Sequence, residues 1–369
     1  MFAIVGTVPD NGFPLIEGKV KLKQNMVLIE GREVPVSRGT SALIAAALKA
    51  CEILDISGPT VFLVGDIGTG EGSRRLYEYL SNNLRHREFN SITFHYLQPD
   101  VDWHNKVLFS IEEMRHRPLL IADAGFMYGA KMSGQANSYD LFTPDAGELA
   151  FLADEEAPHP FYTRGFILHE QNSVPELIVR AYRHKNASRI LMVKGKKDYI
   201  ADEEGIKAEI DYPYVEALEA IGGTGDTLTG IVSALLAAGY EILNAAIIAS
   251  KVNRLAGFLS KPTPATKITE VIQYIPIALK EILESERSIM NTDNINNDRR
   301  SITPDMTVLD VVSRYRETEK IFKKYDKRLG ICICCEALFE PLENVSKRYN
   351  IDIEELIHDL NQILNNKKE

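Results

Sequence analysis

The sequence has no run of eighteen uninterrupted apolar residues, so no segment is expected to span a membrane as a hydrophobic helix. Its opening, MFAIVGTVPDNGFP, has no basic n-region, and its apolar run is too short for a secretory signal. GxxxxGK(S/T) does not occur, which excludes a P-loop; no GxGxxG spacing supports a Rossmann fingerprint. Positive charge is in deficit. The formal net charge is -10, which argues against a nucleic-acid-binding surface. There is no internal repeat. Cysteine is scarce, with four in 369 residues: Cys51 alone, and Cys332, Cys334 and Cys335 together. These absences lead to an expected cytoplasmic location, with no membrane and no nucleic acid as partner. Thiols there are normally reduced, so the cysteine cluster is expected to be redox-active or metal-binding rather than a structural staple.

What is present points to one large α/β domain plus an addition. Short β-branched runs alternate with longer Ala/Leu-rich stretches of helical period. Strands are expected at 25–31, 60–66, 91–98, 118–125 and 189–195. Helices are expected at 40–54, 73–84, 106–116, 241–260 and 268–285, the last interrupted at Pro276. Thr40 or Ser41 is the expected cap of the first helix. Residues 140–153 read as a strand running into a helix, and 197–212 as a hairpin. Such alternation implies a mainly parallel sheet flanked by helices. Residues 288–300, SIMNTDNINNDRR, are polar, Asn-rich and aperiodic, and read as a linker. Beyond them the apolar spacing is helical, with starts at Thr307, Pro341 and Asp352. The expected organisation is an α/β domain over 1–287, a linker over 288–300 and a small all-α domain over 301–369.

One stretch carries chemistry. In AIGGTGDTLTGIVSALLAAGY (220–240), three glycines, a threonine and an aspartate precede an apolar helix that Gly239 closes. A helix N-terminus exposes unpaired N–H groups and partial positive charge, and glycines let the backbone wrap an anion. Gly222, Gly223, Thr224 and Gly225 therefore form a candidate anion cradle. Asp226 lies in the first turn or at the cap, so two readings stand: a chemical carboxylate beside the cradle, or an N-cap after a glycine turn. A second glycine-rich turn, GDIGTGEGS (65–73), follows the strand VFLV, where ligands bind in parallel sheets.

Together TPDAGE (143–148), VKG (193–195) and GGTGDTLTG (222–230) resemble the ribokinase-like superfamily, and within it the ADP- or ATP-dependent NAD(P)H-hydrate dehydratases. That family shows TPHPGE, a strand ending in KG, and GGTGDxLxG in the same order. ADAG (122–125) resembles its DADA, the turn at 65–70 its GPGLG, and 27–50 its first strand and Gly-Ala-rich helix. Asp145 stands where the family has histidine. KGKKDY is also similar to the hydroxyethylthiazole kinases, but these have cysteine at the position of Asp226.

The resemblance implies a nucleotide-dependent catalytic domain over 1–287 with ADP or ATP and Mg²⁺ as cofactors. It implies hydrated NAD(P)H as substrate, its hydroxyl activated as a phosphate and then eliminated. Asp226 would be the general base. Lys194, Gly195 and Gly222 to Gly225 would hold the nucleotide. Gly68, Asp123, Asp145 and Asp226 would contact substrate, and Asp145 with Glu148 would position Mg²⁺. For Lys194 a solvated surface lysine, for Glu148 a first-turn helix carboxylate, and for Asp123 a structural turn are the competing readings. Two other functions stay open: a small-molecule kinase of the same fold, and a non-catalytic nucleotide or redox sensor. Homo-oligomerisation stays open as well.

The segment GICICCEALFEPLENVSKRYNIDIEELI is similar to a hybrid-cluster-protein-associated redox disulfide domain. Its CxxC is Cys332 to Cys335, which implies reversible disulfide chemistry and leaves a redox partner open. Zinc is a poor second choice with three cysteines and a distant His358. His86, His95 and His104 fit no helical metal pair and read as surface or core residues.

Overall fold

The computed structural model describes residues 1–155, 173–297, 302–337 and 340–365. The chain divides into two units, Met1–Glu284 and Ser285–Glu369. In the first, eleven strands form one mixed sheet. They are β1 (Phe2–Val8), β2 (Ile16–Lys23), β3 (Met26–Ile29), β4 (Arg32–Pro35), β5 (Thr60–Gly65) and β6 (Ser91–His95), followed by β7 (Leu119–Ala122), β8 (Leu141–Phe142), β9 (Ile190–Val193), β10 (Asp198–Asp202) and β11 (Gly205–Ile210). Their spatial order is β11-β10-β9-β8-β7-β6-β1-β5-β2-β3-β4. The six strands from β9 to β5 run parallel. Antiparallel strands extend both edges. The expectation of a mainly parallel sheet flanked by helices is met, with these edges added.

Among the described residues the α-helices of this unit are α1 (Thr40–Leu54), α2 (Glu71–Asn83), α3 (Val101–Glu112), α4 (Gly125–Met132), α5 (Ala146–Ala153), α6 (Val174–Arg183), α7 (Thr224–Ala237), α8 (Ile242–Leu259) and α9 (Ile268–Ile272). Successive side chains of a strand face opposite sides. In β1, Phe2 and Ile4 therefore enter the core shared with α1, α7 and α8, while Ala3 and Val5 enter the core shared with α2 and α3. Two cores on a doubly covered sheet explain why its strands are continuously apolar rather than alternating. The Ala-rich α1 lets α7 approach closely. At Gly230 of α7 a Cβ would collide with the Leu43 carbonyl oxygen and lie 3.0 Å from Ala46 Cβ.

Several expectations are corrected. The central strand β1 falls where no strand is expected, because seven residues with an internal glycine carry no decisive period. Residues 26–29 belong to the antiparallel edge and not to a first parallel strand. The cap of α1 is Gly39, at φ 71°, and Thr40 is the first helical residue. Helix α10 (Ile275–Asn297) runs on through residues 288–297, where a linker is expected. Asparagine lowers helix propensity by well under about 1 kcal/mol per residue, so a helix already nucleated upstream can continue. Residues 298–300 of that expected linker lie outside the described residues. By length and composition α8 could cross a membrane. Here it is mostly buried, and its Arg254 is paired with Asp198 of β10 at 3.0 Å.

The second unit is helical, with α11 (Val308–Arg314), α12 (Glu319–Leu329), α13 (Ile333–Glu336), α14 (Leu342–Tyr349) and α15 (Ile353–Asn365). Val308, Phe322, Tyr325, Leu342, Leu356 and Leu360 are among its core residues. Thr307 caps α11 in a reciprocal box with Asp310, Pro341 precedes α14, and Asp352 accepts from the amides of Glu354 and Glu355. Cys332 is the cap residue of α13 and is disulfide-bonded. Cys334 is a free, half-buried thiol whose pKa burial pushes up. The side chain of Cys335 lies outside the described residues.

Replacing Gly230 by alanine must push α1 and α7 apart or displace the Leu43 backbone. The expected cost is about 1–3 kcal/mol, the range for overpacking. It would be read as a lower urea midpoint at unchanged slope, and an unchanged midpoint would contradict the packing described.

Candidate active site

The parallel strands end at one edge of the sheet, and most of them deliver a polar residue there. Asp66 follows β5, His95 ends β6, Asp123 follows β7, Asp145 follows β8 and Lys194 follows β9. Strand order reverses at β1, whose neighbours are β5 and β6. A crevice at the carboxyl ends beside such a reversal is where open α/β sheets bind ligands.

Helix α7 points its N-terminus at this edge. Its cap, Gly223, has φ 106°, and a Cβ there would lie 3.0 Å from Ile268 Cγ1. Asp226 is in the first turn but makes no cap hydrogen bond within its own helix. Instead Gly39 N–H donates to Asp226 Oδ2 at 2.6 Å, and His95 Nε2 lies 3.1 Å from Oδ1. That removes the N-cap reading. The carboxylate is 13% exposed, enough for one approach from solvent. Burial raises its pKa, but the hydrogen bond from His95, Lys194 and the Gly39 amide outweigh burial and hold it below the ordinary carboxylate range.

Asp123 is almost fully buried and well supplied with donors. Lys194 Nζ lies 2.8 and 3.0 Å from its two oxygens, Thr229 Oγ1 donates at 2.6 Å, and the Ala124 amide donates at 2.8 Å. Lys194 is thus a buried partner of Asp123 and not a solvated surface cation. Burial works against its charge, but Asp123, Glu148 and Asp226 outweigh that and push its pKa up. Asp145 and Glu148 form a reciprocal capping box on α5, each accepting from the other's amide at 2.7–2.8 Å. Burial, helped by the nearby Asp123 and Asp145, raises the Glu148 pKa well above the usual carboxylate range, against the pull of Lys194.

Two cavities lie at this edge, and Asp226 lines one of them. One, of about 500 Å³, is lined by Thr224, Gly225, Asp226, Asp145, Glu148, Lys194 and Gly195. The other, of about 590 Å³, is lined by Gly39, Thr40, Arg38, Glu33, Asp66 and Gly68. Tyr96 lines both. Of the expected cradle, Thr224 and Gly225 face the first cavity, whereas Gly222 packs beside Arg38 and Gly223 beside Ser37 and Ile268. Gly68 belongs to the second cavity. The amides of Gly68, Gly70 and Ser73 all donate to Asp66, so this glycine turn is folded around its own carboxylate rather than open to a phosphate.

The site also holds residues that sequence reasoning misses. His95 is fully buried within it, and Tyr96 and Ala124, directly after His95 and Asp123, have φ of 56° and 51°. Non-glycine residues at such angles are strained and cluster at functional sites. His95, Asp123 and Asp226 place one ligating atom each within 4.8 Å of one another, but the Lys194 ammonium already sits on Asp123. The signal for His95 was positional: it ends a strand of the parallel sheet, as Ala122 does just before Asp123.

Comparison with known proteins places this geometry. Residues 99–277 match the Carb_kinase family model, NAD(P)H-hydrate dehydratase. The turn at 65–70 lies outside that match. Over 243 residues the chain is 42% identical to the uncharacterized protein MJ1337 of Methanocaldococcus jannaschii, covering 66% of this chain and all of that protein. It is 32% identical over 129 residues to the bifunctional NAD(P)H-hydrate repair enzyme Nnr of Pyrobaculum aerophilum, covering 35% of this chain and 22% of that enzyme. Among solved structures, the Bacillus subtilis ADP/ATP-dependent NAD(P)H-hydrate dehydratase, co-crystallized with ATP/Mg²⁺, is 15% identical. It covers 76% of this chain and 89% of its own, with a TM-score of 0.48. A ribokinase-like superfamily protein of Enterococcus faecalis is 16% identical, with coverage of 76% and 87% and a TM-score of 0.47.

Substituting Lys194 by methionine would leave Asp123 buried without its cation. Breaking one side of a buried pair costs about 3–5 kcal/mol. The Asp123→Asn, Lys194→Met double variant should recover part of that loss in urea unfolding. A single Lys194→Met variant of unaltered stability would contradict the pairing.

Proposed function

The chain belongs to the family of its M. jannaschii relative, and its residues 99–277 match the Carb_kinase, NAD(P)H-hydrate dehydratase, family model; on that premise we propose that it is an enzyme of that kind and restores NAD(P)H from the hydrated cofactor, with ADP or ATP as phosphoryl donor. The observation that carries this reading is the position of Asp226. Its carboxylate borders the cavity at the N-terminus of α7 and is bonded to Gly39, which borders the other cavity. A nucleotide phosphate fits the first cavity, where the N–H groups of Thr224 and Gly225 and the helix dipole favour negative charge. The dihydropyridine hydrate then occupies the second.

Asp226 takes the proton of the substrate hydroxyl as that oxygen bonds to the terminal phosphorus of the nucleotide, whose bridging P–O bond breaks. The phosphate so formed leaves with the electrons of its C–O bond. Loss of one ring proton then restores the double bond, giving NAD(P)H and inorganic phosphate. A low carboxylate pKa keeps Asp226 ionised and ready as base. Each carboxylate of the capping box has one oxygen not engaged by the other's amide, and Asp145 and Glu148 border the nucleotide cavity. Carboxylate oxygens side by side at a cavity wall fit a hard divalent cation. These two residues would hold Mg²⁺, which supplies charge screening on the phosphates when bound.

For the C-terminal unit the reading is thiol–disulfide chemistry at Cys332 and Cys335, supported by the disulfide at Cys332. Alkylation followed by mass spectrometry should find these two cysteines blocked without reductant and labelled with it. Labelling of both in the unreduced protein would count against this.

The dehydratase reading is tested with chemically prepared NADH hydrate, each nucleotide and Mg²⁺, following NADH absorbance. Asp226→Asn should lower turnover about 100- to 10,000-fold, the usual contribution of a general base. The nucleotide-induced rise in melting temperature should persist in that variant. A stable phosphorylated product in place of NADH would point to a small-molecule kinase. No turnover by the wild-type protein with either nucleotide would end the proposal.

A further inference from the structure

His95 is 0% exposed and lines neither cavity, yet both of its ring nitrogens are engaged inside the site. Nε2 lies 3.1 Å from Asp226 Oδ1, and Nδ1 lies 3.0 Å from Thr40 Oγ1. The ring stands edge-on to Tyr96, with centroids 4.4 Å apart. Asp123 Oδ2 is farther off, at 3.8 Å, and already accepts from Thr229 and Lys194. The ring is therefore directed at Asp226.

An ionised carboxylate can only accept hydrogen bonds, so Nε2 must carry the proton that faces Asp226. In a neutral ring Nδ1 then has a lone pair, and the Thr40 hydroxyl is the donor that matches it. Thr40 thus matches the tautomer that Asp226 requires and adds to its preference over the Nδ1–H form. The arrangement depends on β1 as well. A Cβ at Gly6 would lie 2.6 Å from both Thr40 Oγ1 and Cγ2 and 2.8 Å from the His95 carbonyl oxygen. Glycine at that position leaves the space in which Thr40 meets the ring.

We infer that His95, its Nε2–H tautomer favoured by Thr40, is the positioning residue that aims the Asp226 carboxylate at the substrate hydroxyl. With Gly39 N–H on Oδ2 and His95 on Oδ1, both oxygens are anchored and the carboxylate cannot rotate freely about its last bond. The catalytic part of this inference rests on the dehydratase reading. The tautomer part does not.

The full-length chain, labelled with ¹⁵N-histidine, tests it by NMR. The His95 signal, assigned by its loss in His95→Gln, should show the Nε2–H tautomer in the wild-type protein wherever the ring is neutral. In Thr40→Val, which keeps the shape but removes the hydroxyl, the Nδ1 resonance should shift because that nitrogen loses its hydrogen bond. In the hydrate assay Thr40→Val should lower kcat about tenfold or more while KM for nucleotide and hydrate stays within about twofold, and Thr40→Ser should recover most of the loss. A wild-type Nδ1–H tautomer would overturn the inference, as would a Thr40→Val variant whose kcat is unchanged or whose KM rises as much as kcat falls. If the wild-type protein turns over no hydrate, the dehydratase reading fails while the tautomer measurement still decides the clamp.

Discussion

One carboxylate belongs to α7 but is held by two other elements. Asp226 accepts from the first amide region of α1, through Gly39, and faces the last residue of β6, through His95. A carboxylate that caps its own helix would be satisfied locally and would make no demand on the fold. Asp226 is satisfied only if α1, α7 and β6 meet, so the close helix contact at Gly230 and the open space beside Gly6 are conditions of the site as much as of the core. The φ of 71° at Gly39 is part of the same requirement, because it turns that N–H toward Asp226 at the point where α1 begins.

The charges are arranged so that neighbouring carboxylates have separate tasks. Asp123 is paired with Lys194 and saturated by Thr229 and Ala124, which leaves it little capacity to act as a base. Asp226 has fewer donors, a lowered pKa and an exposed edge. Glu148 sits at the other extreme, its pKa raised mainly by burial. Environments that push neighbouring titratable groups apart mark out roles at active sites. Lys194 supports this by pairing with Asp123 at the wall of the other cavity, and does not line the one beside Gly39 and Thr40.

Much of this was legible in the sequence, for physical reasons that differ from one residue to the next. GGTGD stands out because glycine, carboxylate and an apolar helix are each locally unusual in that order. The helices at 40–54 and 242–259 follow from period alone. The strand at Phe2–Val8 was not legible, since a fully buried parallel strand has no alternation and Gly6 interrupts its β-branched run. Nor was His95: its partners Thr40 and Asp226 are 55 and 131 residues away, and only the fold brings them together. The glycine turn at 65–73 was legible as a turn at the ligand end of the sheet, where Gly68 lines a cavity, but that Asp66 accepts from its amides was not. Counting glycines cannot reveal a carboxylate folded back on its own loop.

The two cavities meet a general constraint on phosphoryl transfer to a hydroxyl. Donor and acceptor must approach from opposite sides of the transferring group, with the base beside the acceptor. The strand order reverses at β1, and the two cavities near the β6 end share Tyr96, while Asp226 lines one of them and is bonded to Gly39, which lines the other. Tyr96 is in a strained backbone conformation, with its carbonyl oxygen fixed by Thr7 Oγ1 at 2.9 Å. A relaxed residue after β6 would carry the chain elsewhere, and the two cavities would lose the residue they share. The strain at Tyr96 is thus tied to the same geometry as the clamp on Asp226, because His95 and Tyr96 are adjacent and cannot be placed independently.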